Sequence, residues 1–224
     1  MDKLNEERVT QDDPRLVQLI RNYYIEQPSE EPYKLLDPER RDPSLDQAVF
    51  VDRTLRNMEG GFFVDSGAHD GEIQSNTLFF ERIRHWTGIL IEPQPKLYQQ
   101  LKSKHRKSFH LNACVSFKGK ITYLRIYVML LNLEKKSVFV KKSKVNDPVT
   151  SILLIPVKFL PTSFTGKMVE NITSEDKWIK QGVKEITVQC FPLYSILLAM
   201  NQLTVDYFSL DVEGAEEGII NNIP

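Results

Sequence analysis

GGFFVDSGAHDGEIQSNTLFFERIRHWTGILIE, from Gly60 to Glu92, is the stretch on which the fold turns. Phe62, Phe63 and Val64 form a short apolar run that Asp65 closes, and Gly67 and Gly71 bracket a tight loop. A helical pattern from Ser75 to Trp86 follows, and a second apolar run, Gly88 to Ile91, ends on Glu92. Strand, glycine loop, helix and strand make a βαβ unit with an acidic residue at the tip of its second strand. Glycines let a backbone approach a ligand closely, and a carboxylate roughly 20 residues beyond the loop can accept both hydroxyls of a ribose. Such a unit suits a dinucleotide or S-adenosylmethionine. A pyrophosphate asks for G-x-G-x-x-G, whereas this loop has only Gly67 and Gly71, with Ala68, His69 and Asp70 between them. Asp65 and Asp70 would repel a diphosphate but not a cationic sulfonium, so S-adenosylmethionine is the expected cofactor.

Two further runs extend the unit. Phe109 to Val115 reads as a third strand carrying Asn112, and Val205 to Leu210 as a fourth parallel strand that delivers Asp211 and Glu213 at its carboxyl end. Ligands of open α/β sheets bind at that end. Two carboxylates there can hold an ammonium group, orient an acceptor hydroxyl or take its proton. The plainer alternative is that Glu213 and Glu216 sit in the first turn of a helix, where the dipole favours negative charge. The expected sheet is mostly parallel, in the order 3-2-1-4, with helices on both faces.

VDSGAHDGE, SNTL, W-x-G-x-L-I-E-P, then NACVS at Asn112 to Ser116 and SLDVEGAE at Ser209 to Glu216, occur in that order. This set resembles the FkbM-type methyltransferase domain, over roughly residues 12–116 and 185–222. SNTLFFE and DDPRLVQLIRNYY look most like the insect Star group within it. The resemblance implies an α/β, Rossmann-like fold for S-adenosylmethionine-dependent methyl transfer, expected to be truncated after the fourth parallel strand because three further strands are missing. It implies that Asp65, Gly67, Ala68, Gly71, Glu92 and Asn112 bind the cofactor. Gly67 and Gly71 would pass it, Asp65 would meet its amino acid end, Glu92 the ribose and Asn112 the adenine. Asp211 and Glu213 would face the reacting methyl, with an oxygen acceptor. Star-like proteins imply an alternative, a non-catalytic regulator of epidermal growth factor receptor ligand trafficking. That reading implies the endoplasmic reticulum, Golgi and endosomes, with a protein cargo as partner.

Outward from this core, residues 1–43 read as a polar tail, a helix and a connector, and 44–224 as the methyltransferase-like domain. Residues 1–11 are expected to be loose. Asp12-Asp13-Pro14 starts a helix with Leu16, Leu19, Ile20 and Tyr23 on its apolar face. The proline-rich segment 27–43 either lids the ligand site or packs on the sheet edge. Ser44-Leu45-Asp46-Gln47 has the capping-box form that opens a helix carrying Ala48, Val51, Leu55 and Met58. Another helix begins at Pro95, and the basic run Lys102 to Lys107 reads as a solvated face. Residues 132–184 do not follow the pattern and are taken as an atypical insertion. A strand at Glu185 to Cys190 and a helix from Pro192 restore it.

The chain has 224 residues, 29 Lys plus Arg and 30 Asp plus Glu. The near-zero net charge gives no basic field to draw in nucleic acid. No window approaches 18 apolar residues and the N-terminus MDKLNEERVTQDD has no apolar signal core, so a cytoplasmic location is the alternative to the endomembrane one. His69, His85, His105 and His110 show no metal-ligand spacing, and no metal is expected. Cys114 and Cys190 lie in apolar runs and read as buried thiols in preference to a disulfide. Asn171-Ile172-Thr173 is a glycosylation sequon.

Overall fold

Side-chain alternation in the two central strands explains the layers. Phe62 and Val64 point to one side of the sheet with Ile89 and Ile91, while Phe63 and Leu90 point to the other. Both faces are therefore apolar, which calls for helices on each side of a parallel sheet. The computed structural model describes residues 2–129, 138–139, 149–152, 183–212 and 214–224. In chain order its elements are α1 (Asp2–Glu7), α2 (Pro14–Tyr23), β1 (Ile25–Glu26), α3 (Gln47–Thr54), β2 (Phe62–Ser66), α4 (Leu78–Ile83), β3 (Thr87–Ile91) and α5 (Pro95–Lys102). There follow β4 (Phe109–Leu111), β5 (Cys114–Val115), β6 (Thr122–Met129), β7 (Val138–Phe139), β8 (Val149–Ile152), β9 (Val183–Phe191), α6 (Leu193–Met200), β10 (Tyr207–Leu210) and α7 (Glu216–Ile220).

The main sheet runs β1-β4-β3-β2-β10. Its last four strands are parallel, in the order expected from the sequence, and β1 adds an antiparallel edge on β4. One face packs on residues of α1, α2 and α6, with Leu16, Ile20, Ile196 and Leu197 in that core. The opposite face packs Ala48 of α3, Phe79 and Phe80 of α4, Trp86 and Leu101 of α5. A second sheet joins β9 to β5 and β6, with β7 and β8 on β6.

Several expectations need correction. The third strand does not run unbroken from Phe109 to Val115. It stops at Leu111, and Cys114–Val115 joins β9 in the second sheet. In the turn between them Asn112 Nδ2 donates to the Glu92 and Pro93 carbonyls at 2.7 and 3.3 Å. Residues 1–11 are not loose, since α1 forms there and Leu4 and Val9 enter the core. The helix after Ser44 begins only at Gln47, because Asp46 takes the left-handed conformation with φ 66°. Ser44 Oγ still accepts the Ala48 N–H at 2.9 Å.

The basic run after α5 is not uniformly solvated. Lys104 Nζ pairs with Glu72 Oε2 at 2.7 Å, both buried. Arg106 Nε lies 3.0 Å from Glu81 Oε1, with the two side chains 0% and 1% exposed. Charge patterning cannot reveal this, because the acidic partners come from α4 and the glycine loop. Cys114 and Cys190 form a disulfide across the β5/β9 pair, not separate thiols. They face each other in register, a relation that exists only once the second sheet is assembled. Of the expected insertion, only β7, β8 and the start of β9 are described. The sequon at Asn171 lies outside the described residues.

The proline-rich connector is tied to the segment between α5 and β4. Ser29 N donates to Arg106 O at 3.1 Å and Lys34 N to Lys104 O at 3.0 Å. Leu36 N and Asp37 N then both donate to the Glu72 carboxylate, at 2.9 and 2.8 Å. The connector is thereby tied to the glycine loop through one side chain. Among the described residues no helix is long and apolar enough to cross a membrane.

Candidate functional site

The carboxyl ends of β2, β3, β4 and β10 converge around the loop Gly67–Gly71. Gly67 has φ 93° and Gly71 φ 78°, a region that an L side chain rarely adopts. A Cβ at Gly67 would also collide with the Asp211 carbonyl oxygen. The close approach demanded of this glycine is thus, in part, to the chain's own β10. Gly67 N and Ala68 N both donate to Ile91 O, at 2.9 and 3.1 Å, and Asp211 N donates to Ser66 O at 3.0 Å. These bonds bind the loop to the ends of β3 and β10.

Asp65 is buried at the end of β2 and accepts the Thr77 hydroxyl at 2.6 Å. Loss of hydration raises its proton affinity, with nearby Asp211 adding to this. Glu92, 1% exposed, accepts the His69 N–H at Oε2 (2.9 Å) and the Gln94 N–H at Oε1 (2.8 Å). Burial pushes its carboxyl from 4.5 up to about 7, against the two backbone donors and His69. Asp70 behaves oppositely. Burial alone would raise it, but His69 and the N–H groups of Glu72 and Ile73 hold it at about 2.

Asp211 stands exposed at the tip of β10. Crowding by the loop strips part of its carboxylate's hydration and Glu216 repels it, so its proton affinity is raised while His69 opposes. Asn112 touches the backbone of Glu92 and Pro93, so it links the tips of β3 and β4. The structure thus gathers Asp65, Gly67, Ala68, Gly71, Glu92, Asn112 and Asp211 at one end of the sheet. Glu213 lies outside the described residues.

Sequence reasoning missed two contributors. His69, dismissed with the other histidines for lack of ligand spacing, has a left-handed backbone (φ 54°), with Nδ1 3.5 Å from Asp70 Oδ1 and its side chain 38% exposed. Its position between two glycines was the available signal. Arg106 was the other. It donates to Glu81, to Gly71 O at 2.5 Å, to Ser75 Oγ at 3.3 Å and to Thr77 Oγ1 at 3.2 Å, so it fixes the far side of the glycine loop. Among the described residues no group of three or more His, Cys, Asp and Glu side chains is arranged to hold a metal ion.

The state of Glu92 has a pH signature. Its folded value lies above its unfolded one, so between about pH 4.5 and 7 the native chain holds a proton that the unfolded chain has lost. Stability therefore falls as pH rises through that window, by on the order of 3 kcal/mol for this group alone. Urea unfolding at about pH 5 and about pH 8 should show a smaller pH dependence in Glu92→Gln than in the wild type, by roughly that amount. Equal pH dependence in the two chains would mean that Glu92 stays ionised throughout.

The sequence profile described as the Methyltransferase FkbM domain matches residues 65–222. No curated protein and no solved structure matches the chain. The matched span begins at Asp65 and includes the glycine loop, Glu92, Asn112 and the β10 tip.

Proposed function

Because the chain belongs to the FkbM methyltransferase domain family, we propose that it is an S-adenosylmethionine-dependent methyltransferase domain that transfers the methyl to an oxygen acceptor. The observation that carries this reading is the state of Glu92. A carboxylate has roughly four lone-pair positions, and the two backbone N–H groups on Glu92 occupy two of them. The remainder suit the two hydroxyls of a ribose, and a carboxyl raised to about 7 by burial is one that gains from further donors. The acidic loop and strand ends also suit a sulfonium and an ammonium. The residues present therefore fit the cofactor, which when bound supplies an electrophilic methyl on sulfur.

In this reading Gly67, Ala68 and Gly71 form the loop against which the cofactor lies. Glu92 takes the ribose, Asn112 the adenine edge, and Asp65 supports the amino acid end through the loop from its buried position. Asp211, exposed and with raised proton affinity, orients the acceptor hydroxyl and takes its proton. Glu213 shares that role on the sequence pattern alone. Methyl transfer otherwise asks for in-line positioning and exclusion of water.

A second reading, a non-catalytic Star-like regulator of epidermal growth factor receptor ligand trafficking that keeps this fold, draws support from how far the chain fills its own site. The Asp211 carbonyl crowds Gly67, and Asp65 is bonded to Thr77. The Cys114–Cys190 disulfide favours an oxidising compartment for either reading, the secretory lumen or the cell exterior. Thermal unfolding with S-adenosylhomocysteine separates them. At about 100 times its dissociation constant the ligand should stabilise the wild type by about 2.7 kcal/mol, or several degrees, and leave Glu92→Ala unmoved. A folded wild type with no shift at saturating ligand rules out the methyltransferase reading.

A further inference from the structure

At the opposite end of the sheet, by the first residue of β3, lies a cavity of about 410 Å³. Thr87 and the edge of buried Trp86 line it, Tyr33 supplies an aromatic ring, and Arg82, His85 and Lys107 bring three basic side chains to it. The neighbouring cations are neutralised: Arg84 by Asp52, Lys104 by Glu72 and Arg106 by Glu81. Arg82 and Lys107 form no ion pair with a carboxylate among the described residues. Arg82 donates from Nη1 and Nη2 to the Arg40 and Pro38 carbonyls, at 3.1 and 2.6 Å. Lys107 Nζ donates to the Ser29 carbonyl at 2.8 Å and to that of Glu31, and sits 5.3 Å from the Tyr33 ring centroid.

Those bonds clamp the connector but leave donors over. A guanidinium has five N–H groups and an ammonium three, so Arg82 keeps about three and Lys107 about one. Glu81, the one acidic side chain at the cavity, is already engaged by Arg106, Ser108 and the Lys107 N–H. The Trp86 indole N–H is spent on Met58 O at 2.8 Å and the indole itself is buried in the core, so Tyr33 is the aromatic ring that this space can use. Two positive charges without a carboxylate partner, a histidine and the flat ring of Tyr33 make a particular kind of receptacle.

We propose that this cavity binds a small phosphomonoester carrying a flat apolar group. A dianion matches the two fixed charges of Arg82 and Lys107, where a carboxylate would match only one. Arg82 and Lys107 contact the phosphate oxygens, His85 closes over them, and Tyr33 stacks on the apolar group. Glu92 and Asp211 lie at the other end of the strands, so the site is independent of methyl transfer.

The test uses the whole chain with phenyl phosphate, inorganic phosphate and phenol as probes, followed by calorimetry and by amide NMR. Phenyl phosphate should bind saturably and one to one, roughly tenfold tighter than inorganic phosphate, while phenol does not bind. It should shift the amides of His85, Trp86 and Thr87 in the wild type. Lys107→Met and Arg82→Met should each weaken it by about tenfold or more, and Glu92→Gln should bind as the wild type does. Vesicles of phosphatidylcholine with phosphatidic acid form a second arm. Binding to the soluble ester alone assigns a free metabolite, and binding to the vesicles as well assigns a lipid headgroup. Absence of saturable binding, amide shifts confined to other regions, or binding of phenol as tight as that of phenyl phosphate would each overturn the proposal. The wild-type NMR result stands even if a variant loosens the connector and fails to fold.

Discussion

Arg106→Ala is expected to destabilise the chain by about 3–5 kcal/mol, the usual cost of leaving one member of a buried ion pair unpartnered. The reason lies in what its guanidinium holds. Glu81 is 1% exposed, and burial alone would raise its carboxyl, but the Arg106 charge and hydrogen bond reverse that and keep it ionised. Without Arg106 the carboxylate retains Ser108 Oγ and the Lys107 N–H, but no cation. The Gly71 carbonyl loses a donor too, and so do Ser75 and Thr77. Thr77 in turn holds Asp65, so the disturbance reaches the candidate cofactor loop. Arg106→Lys should restore little, because one ammonium cannot serve four acceptors that a planar fork reaches from fixed directions. Urea unfolding of the three chains measures both effects. A melting temperature lowered by about 10 °C or more is the corresponding thermal result for a domain of this size. Wild-type stability in Arg106→Ala would mean that the pair is hydrated in solution.

Removing the disulfide should have an effect of similar size. Cys114 and Cys190 are 76 residues apart, and closing a loop of that length restricts the unfolded chain by an amount worth about 4 kcal/mol in the chain-entropy account. Cys114→Ala with Cys190→Ala should therefore lower stability by a large part of the 5–15 kcal/mol typical of a domain. Both side chains are buried, Cys190 at 1% exposure, beside Leu124, Ile126 and Val188. Alanine leaves that small cluster slightly underfilled without adding a polar group. A reducing agent applied to the wild type under unfolding conditions should reproduce the loss. If the double variant unfolds at the same urea concentration as the oxidised wild type, the cysteines are not linked in solution.

The parallel order of the four strands was legible because each strand is a run of apolar residues ending in an acid or a turn. A strand covered on both faces has no other way to be written. The helices from Pro14 and Pro95 were equally plain, since each puts Pro at its first turn and the residue before it caps a backbone N–H. The capping signal at Ser44 was real as chemistry but misplaced the helix start, because the Asp46 backbone turns before the helix can begin. Within the site, the positions of Glu92 and Asp211 followed from strand ends alone. Their electrostatics did not. Glu92 has its raised carboxyl because β4, the loop and the turn into α5 exclude water from it, and Asp70 its lowered one because His69 and two N–H groups meet it.

What the sequence by itself determined is what is encoded by neighbours along the chain: the βαβ unit, the glycine loop with its acidic strand tip, and the kinship with FkbM methyltransferase domains. Only the tertiary structure decided which charges are buried and paired, that the two cysteines join, that the third strand divides between two sheets, and that a cavity with basic side chains opens beside the start of β3. Each of those depends on groups brought together from distant parts of the chain. Burial and pairing set the energies of charges, and neither exists until the fold has closed.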